Sequence, residues 1–202
     1  MSDIIYGARL PKTDLRDYTV KAGAVDVNSF ELDNLPSVKN QLSVGSCVAH
    51  SSSSILEWFN NKETNEYREL STGFLYGMQG VEFNRLESGM YLRDVCKIIK
   101  KYGDCLFSTI PFNIEMPECY NLLKDKLDEN VYNEALICKI KSYAKCTTND
   151  SVKHAIMKYS PVLMSVKWYN KYKMQKDYTV SFDTTSDSGY HAIMVYGFND
   201  KV

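Results

Sequence analysis

The chain has 202 residues, a formal net charge of -1, and 44% hydrophobic with 12% aromatic residues, enough to bury a core as one large domain or two small lobes. Balanced charge with no long run of one sign excludes electrostatic wrapping of nucleic acid or of an anionic membrane surface. No stretch approaches the ~18 apolar residues of a membrane span, and residues 1–6 lack the basic and apolar build of a secretory signal.

Residues 1–35 read as an irregular, extended segment that wraps the surface, with Pro11, Gly23 and Asn28 as punctuation and Pro36 beyond them. From 46 to 60, the apolar positions Val48, Ala49, Ile55, Leu56 and Phe59 recur at near-helical spacing, so a helix starts at Ser46 or Cys47 and stops at Asn60 and Asn61. Ser71 caps a second helix over 73–78. Leu92, Val95, Ile98 and Ile99 stripe a third that stops at Gly103. A further short helix is expected over 121–130. Alternation over 136–143, with Lys139 and Lys141 on the polar side, reads as a strand. Residues 151–159 return to helix, 162–166 after Pro161 form a buried strand, and 178–182 and 191–198 form two more. Helices in the first half and strands in the second predict an α+β fold of two lobes, one mainly helical (36–130) and one mainly β (131–202), with a cleft between them.

The six cysteines, Cys47, Cys96, Cys105, Cys119, Cys138 and Cys146, are expected as free thiols in a reducing compartment, cytoplasmic or virus-associated. There is no CxxC pair, so no metal site is expected, and no cofactor.

Two segments carry chemistry. Gln41-Leu42-Ser43-Val44-Gly45-Ser46-Cys47 places a cysteine where a Gly-Ser turn becomes a helix. The unpaired N–H groups and positive dipole end there favour a thiolate over a thiol whose ordinary pKa is ~8.5. The Gln41 amide and the Cys47 N–H can both point at an oxyanion. As an ordinary residue, Cys47 would be a small hydrophobe starting a core helix, and Gln41 a loop glutamine. The second segment, Gly189-Tyr190-His191-Ala192-Ile193-Met194-Val195-Tyr196-Gly197, puts a histidine at the head of an apolar strand. Among the histidines, His50 lies on the same helix as Cys47 and points beside or away from the thiol. His154 lies on a helix as a solvated surface residue. His191 is the expected general base, and the alternative for it is a histidine at the mouth of a buried strand.

The run from Val38 to Ala49, with its glutamine six residues before the cysteine, resembles the active-site signature of papain-like cysteine peptidases. The His191 segment resembles that family's histidine strand, and the interval of 144 residues from Cys47 to His191 fits the family's span of about 130–150. Leu70-Ser71-Thr72-Gly73-Phe74-Leu75-Tyr76 and Ser88-Gly89-Met90-Tyr91-Leu92-Arg93-Asp94 also resemble members, bacterial ones for the latter. Leu10-Pro11-Lys12-Thr13-Asp14-Leu15-Arg16 resembles the start of a mature domain, without a long inhibitory propeptide. Val44 and Val48 replace a disulfide cysteine and an aromatic, as in bacterial and viral relatives that lack the usual disulfides.

The resemblance implies hydrolysis of polypeptides through a thioester at Cys47, with His191 as base and acid and Gln41 as oxyanion donor. It also implies that Gly89 offers backbone groups to an extended substrate, and Met90 and Tyr190, with Tyr91, are expected to line the substrate pocket. The family's histidine-orienting asparagine before Ser-Trp-Gly has no counterpart, so the β lobe reads as truncated, with an exposed sheet edge that invites a partner chain or self-association. Two alternatives stand beside the endopeptidase: a catalytically weak or inactive module with a structural or binding role in a larger, viral assembly, and a cell-wall peptide hydrolase using the same chemistry.

Overall fold

The computed structural model describes residues 6–10, 14, 17–177 and 179–201. Most of the expected mature-domain start over 10–16, and Tyr178 at the head of an expected strand, lie outside the described residues. Two short strands, β1 (Ala8–Arg9) and β2 (Ser29–Glu31), punctuate an otherwise irregular N-terminal segment. The helical part follows: α1 (Cys47–Thr64), α2 (Thr72–Phe83), the short strand β3 (Met90–Tyr91), α3 (Leu92–Lys101), α4 (Glu118–Lys126) and α5 (Glu129–Ala135). Then come α6 (Asn149–Lys158), β4 (Val162–Tyr169), β5 (Tyr172–Met174), β6 (Val180–Phe182), β7 (Ser188–Val195) and β8 (Gly197–Asn199).

Local chemistry explains most of these bounds. The Ser71 hydroxyl accepts from the Phe74 N–H at 2.9 Å, and the helix it opens runs to Phe83, where Asn84 takes a left-handed cap. Thr148 and Ser151 form a reciprocal capping box at the start of α6. Between 118 and 135 the chain forms two helices rather than one over 121–130, because Leu127 is extended and Asp128 caps anew by accepting from the Val131 N–H. The strand expected over 136–143 is absent: residues Leu136–Cys138 continue α5 as a 3-10 turn, and the segment pairs with no strand among the described residues. Alternation supplies a face, but a strand also needs a ladder partner.

The core lies mainly in the helical part, where α2 packs against α1, α3 and α4. Its residues Phe74, Leu75, Tyr76 and Met78 are fully buried together with Leu70, Ile98, Ile110 and Leu123. A helix apolar on so many sides is stable only when enclosed. In the β part, β4 and β7 pair antiparallel with Val166 opposite His191, and β7 also packs on α1. The run expected as one strand over 191–198 is two: β7 starts earlier, at Ser188, and β8 leaves it to pair with β2. The N-terminal segment thus touches both halves, since β1 pairs parallel with β3 while β2 pairs antiparallel with β8. No helix among the described residues is long and apolar enough to cross a membrane.

Candidate active site

Cys47 is the first residue of α1, in the layer where that helix meets β7. The loop before it is held from several directions. The Glu115 carboxylate accepts from the Gly45 N–H and, at 2.8 Å, from the Tyr76 hydroxyl. Leu42 takes a left-handed φ of 51°, and Val44 N–H closes the turn on the Gln41 carbonyl at 3.1 Å. Beneath the loop, the Lys39 ammonium lies 2.8 Å from Glu57, whose carboxylate is fully buried on α1 and also accepts from the Leu70 N–H at 2.8 Å. Burial pushes the Glu57 pKa up, even with Lys39 and these donors acting against it.

His191 enters from the other half of the molecule on β7. The amide that joins it to the next residue, Ala192 N–H, donates to the Cys47 sulfur at 3.4 Å. The Ala192 carbonyl accepts from the Ser51 hydroxyl of α1 at 3.0 Å, so a single residue of β7 is fastened to the first turns of the helix through both of its backbone groups. The small serines of α1 allow that approach. On β4, Val166 and Trp168 share the sheet face of His191, and the Trp168 ring meets the imidazole edge to face at 5.6 Å. His191 Nδ1 and Trp168 Nε1 are both buried and have no hydrogen-bond partner among the described residues.

Cys47 is only 1% exposed. Burial raises its thiol pKa, while the backbone N–H groups of Ala192, Gly7, Val48 and Cys47 itself act in the opposite sense by favouring the anion. Burial lowers the His191 pKa. Both shifts favour a neutral thiol beside a neutral imidazole. The ionised pair expected from the sequence is therefore disfavoured while the sulfur is covered.

The remaining expected site residues are distributed unevenly. The Gln41 amide donates one N–H to the Val44 carbonyl at 3.0 Å. Gly89, with φ of 87°, sits beside the Gly45 loop, but its own groups turn inward: its N–H donates to the Tyr76 hydroxyl at 3.2 Å and its carbonyl accepts from Gln79 at 2.9 Å. The neighbouring Met90 N–H is the group that reaches across the cleft, to the Gly7 carbonyl at 2.7 Å. The Met90 side chain is fully buried in the core and does not line a pocket, because the two-residue strand points it inward. Tyr190 is exposed on the β7 face opposite His191. His50 is buried, its Nδ1 held 3.0 Å from the Ser46 carbonyl within its own helix. His154 is half-buried against Gly23 and Tyr159, correcting its assignment as a solvated residue; the wrapping segment covers it.

Three contributors escape sequence reasoning. Glu115, which anchors Gly45, lies in an irregular loop without a motif. Gly7, whose backbone N–H favours the Cys47 anion, lies in a stretch without periodicity. Trp168 is two residues from Val166 on a strand, so alternation places it on the imidazole's face once the β4–β7 register is known.

A cysteine at a helix tip in one half, met by a histidine-bearing strand from the other, is the layout of two-lobe cysteine peptidases. The chain belongs to the papain family of cysteine proteases, whose family pattern matches residues 23–202. Xylellain, a cysteine protease from Xylella fastidiosa, superposes with a TM-score of 0.80 at 20% identity, over 98% of this chain and 81% of its own. Digestive procathepsin L 3 of Tenebrio molitor larval midgut gives 0.66 at 18% identity, over 92% of this chain and 59% of its own. A cysteine protease of Carica candamarcensis gives 0.55 at 15% identity, over 86% and 78%. At these identities the likeness concerns the fold. Comparison with curated proteins gives no match.

Proposed function

We propose that this chain is an endopeptidase that hydrolyses peptide bonds of a polypeptide substrate through a thioester at Cys47, with His191 as general base and then general acid. The observation that carries this reading is the 3.4 Å contact from the amide between His191 and Ala192 to the sulfur, because it starts the imidazole one peptide unit from the nucleophile. The thiol proton passes to His191, and the sulfur attacks the scissile carbonyl carbon. The resulting oxyanion is stabilised by the Cys47 N–H and by the Gln41 amide. Collapse breaks the C–N bond, His191 protonates the departing amine, and the acyl group stays on sulfur. His191 then takes a proton from water, which attacks the thioester and releases the acid as the thiol is re-formed. Hydrolysis of cell-wall peptide bridges needs the same groups and the same steps.

A burst of alcohol release from an activated peptide ester, equal to the concentration of chain and absent in Cys47→Ala, is the expected result. A steady, burst-free rate unchanged in Cys47→Ala would contradict it.

The second reading is a weak or inactive module whose papain-like fold binds rather than cleaves. It is favoured by the near-complete burial of Cys47 and by His191 Nδ1 having no hydrogen-bond partner among the described residues, since a base whose tautomer is not fixed by a hydrogen bond loses rate. Under that reading no burst occurs even when the sulfur is accessible to small alkylating agents.

A further inference from the structure

The turn that carries Gln41 is anchored in the core only at its far end, by Val44. Elsewhere it is open to solvent: Val38 is fully exposed and Leu42 is 65% exposed. Its internal bonds give it a shape without fixing its place. Asn40 Oδ1 accepts from the Leu42 N–H at 2.8 Å, the Val44 N–H closes on the Gln41 carbonyl, and the Gln41 amide returns to the Val44 carbonyl. All of these bonds lie within residues 40–44. An exposed turn closed on itself moves as a unit, so its placement beside Cys47 depends on polar ties to other elements.

Those ties reach it on the upstream side. Lys39 pairs with Glu57 of α1, and from the loop before α4 the Asn113 amide donates to the Asn40 carbonyl at 3.2 Å. His50 supplies a tie from the very turn of α1 that Cys47 opens. Its side chain is buried, with Nδ1 3.0 Å from the Ser46 carbonyl and 3.1 Å from the Ser46 hydroxyl. The ring also hydrogen-bonds the Asn40 carbonyl. Burial holds the His50 pKa below its ordinary value and the Lys39 ammonium acts in the same sense, against the Ser46 and Asn40 carbonyls, which favour the cation. A neutral imidazole has a single N–H. With the Ser46 hydroxyl donating to Nδ1, that N–H is left for Asn40, the residue next to Gln41.

We propose that His50 is a positioning residue for Gln41: from the first turn of α1 its imidazole holds the Asn40 carbonyl, and so sets where the neighbouring amide stands relative to the Cys47 N–H. Its effect on rate rests on the peptidase reading above, whereas its hold on the loop does not. Nucleophile and oxyanion donor are then placed by one helical turn, Cys47 directly and Gln41 through a side chain three residues further on. An oxyanion donor works by standing fixed before charge develops, so a looser amide costs rate in the transition state and leaves ground-state binding alone. His50→Phe isolates this role. It keeps a ring in the buried space and leaves neither backbone acceptor bare, since the Ser46 carbonyl keeps the His50 N–H at 3.0 Å and the Asn40 carbonyl keeps Asn113.

The test uses the full chain and a capped peptide anilide, whose acylation step limits turnover. His50→Phe is expected to lower kcat about tenfold, the scale of one well-placed hydrogen bond, with KM changed by less than about twofold. His50→Gln, which keeps an N–H donor, should recover about threefold of that loss. Gln41→Ala alone should cost about a hundredfold. In that background His50→Phe should change kcat by less than about twofold, because the group it positions is gone. An equal drop in both backgrounds, or a raised KM with kcat kept, would overturn the positioning role. Hydrogen exchange read by mass supplies an arm without hydrolysis. Exchange over 40–46 should speed up about tenfold in His50→Phe, while the enclosed residues 74–79 of α2 stay as slow as in wild type. Unchanged exchange over 40–46, or an equal rise over 74–79, would overturn the hold on the loop. Faster exchange confined to 40–46, in a chain whose wild type gives no turnover, would sink the peptidase reading alone.

Discussion

Ala192 of β7 and Cys47 of α1 are joined by an N–H···S contact of 3.4 Å, the point at which the two halves of the molecule meet over the nucleophile. Because the Ala192 carbonyl is also held by Ser51, the backbone beside His191 can neither slide along α1 nor rotate away from it without breaking a hydrogen bond. That fastening brings together two residues 145 apart in the sequence. Two of the four serines from Ser51 to Ser54 tie α1 to other segments: Ser51 fastens the strand, and Ser53 donates to Asp104 at 3.2 Å.

The covered state has a defined pH signature. Burial holds the Cys47 thiol above its ordinary value and His191 below its own, so protons stay on sulfur and off the ring. In the wild-type chain, alkylation of Cys47 should rise only above the ordinary thiol range, ~8.5, with no reactive plateau at lower pH. In Gly7→Ala the new Cβ would overlap the Gly45 carbonyl of the nucleophile loop, so the Gly7 backbone moves off the sulfur and part of the burial penalty is removed, leaving the helix tip and the Ala192 amide to favour the anion. The profile should therefore move to lower pH. Rate measurements with iodoacetamide across the neutral and alkaline range check this, and superimposable profiles would refute it.

Trp168 is expected to act as a positioning residue for His191, whose imidazole it meets edge to face. Trp168→Ala should lower kcat/KM by up to about tenfold, the scale of one aromatic pair. Relieving the ring's burial should raise the His191 pKa toward its ordinary value, so the acid limb of the rate profile moves to higher pH. Trp168→Phe should restore most of both. A merely structural role would reduce folded protein without moving the limb.

Asp104 lies 1% exposed behind α1, with one carboxylate oxygen accepting from Ser53 and the other without a partner among the described residues. Burial raises its pKa well above the usual carboxylate range; Glu57 adds to the shift and Lys39 opposes it. The folded chain therefore binds this proton more tightly than the unfolded one, and the stability it brings is lost as pH rises from ~3.9 toward the elevated folded value. Asp104→Asn cannot ionise, so its advantage over wild type should grow across that window to about 1 kcal/mol or more, one pKa unit being ~1.4 kcal/mol. Urea unfolding of both chains at about pH 5 and about pH 7.5 measures the difference, and a constant offset at both pH values would contradict it.

Much of this was legible in the sequence, and the lapses share a cause. Helix α1 follows from apolar spacing, α2 from the Ser71 cap, and β4 from the run after Pro161, because each signal is local. The two-lobe fold follows from the order of elements. Contacts between segments distant in sequence are another matter. Residues 136–143 alternate like a strand yet pair with no strand among the described residues, Met90 looks like a pocket residue until β3 turns it inward, and nothing in residues 6–9 announces that Ala8 and Arg9 pair with β3. The Gln41–Cys47 segment shows where a nucleophile would stand, but its near-complete burial comes from contacts distant in sequence, Ala192 among them.

Labelling by a peptidyl vinyl sulfone, with the modified thiol identified by mass, tests the pairing of Cys47 with His191 most directly. The prediction is a single adduct at Cys47, formed faster in Gly7→Ala than in wild type and slowed about a hundredfold or more by His191→Ala, as the loss of a positioned base requires. Label spread over the six thiols, or a Cys47 rate indifferent to His191→Ala, would contradict the pairing of this cysteine with this histidine.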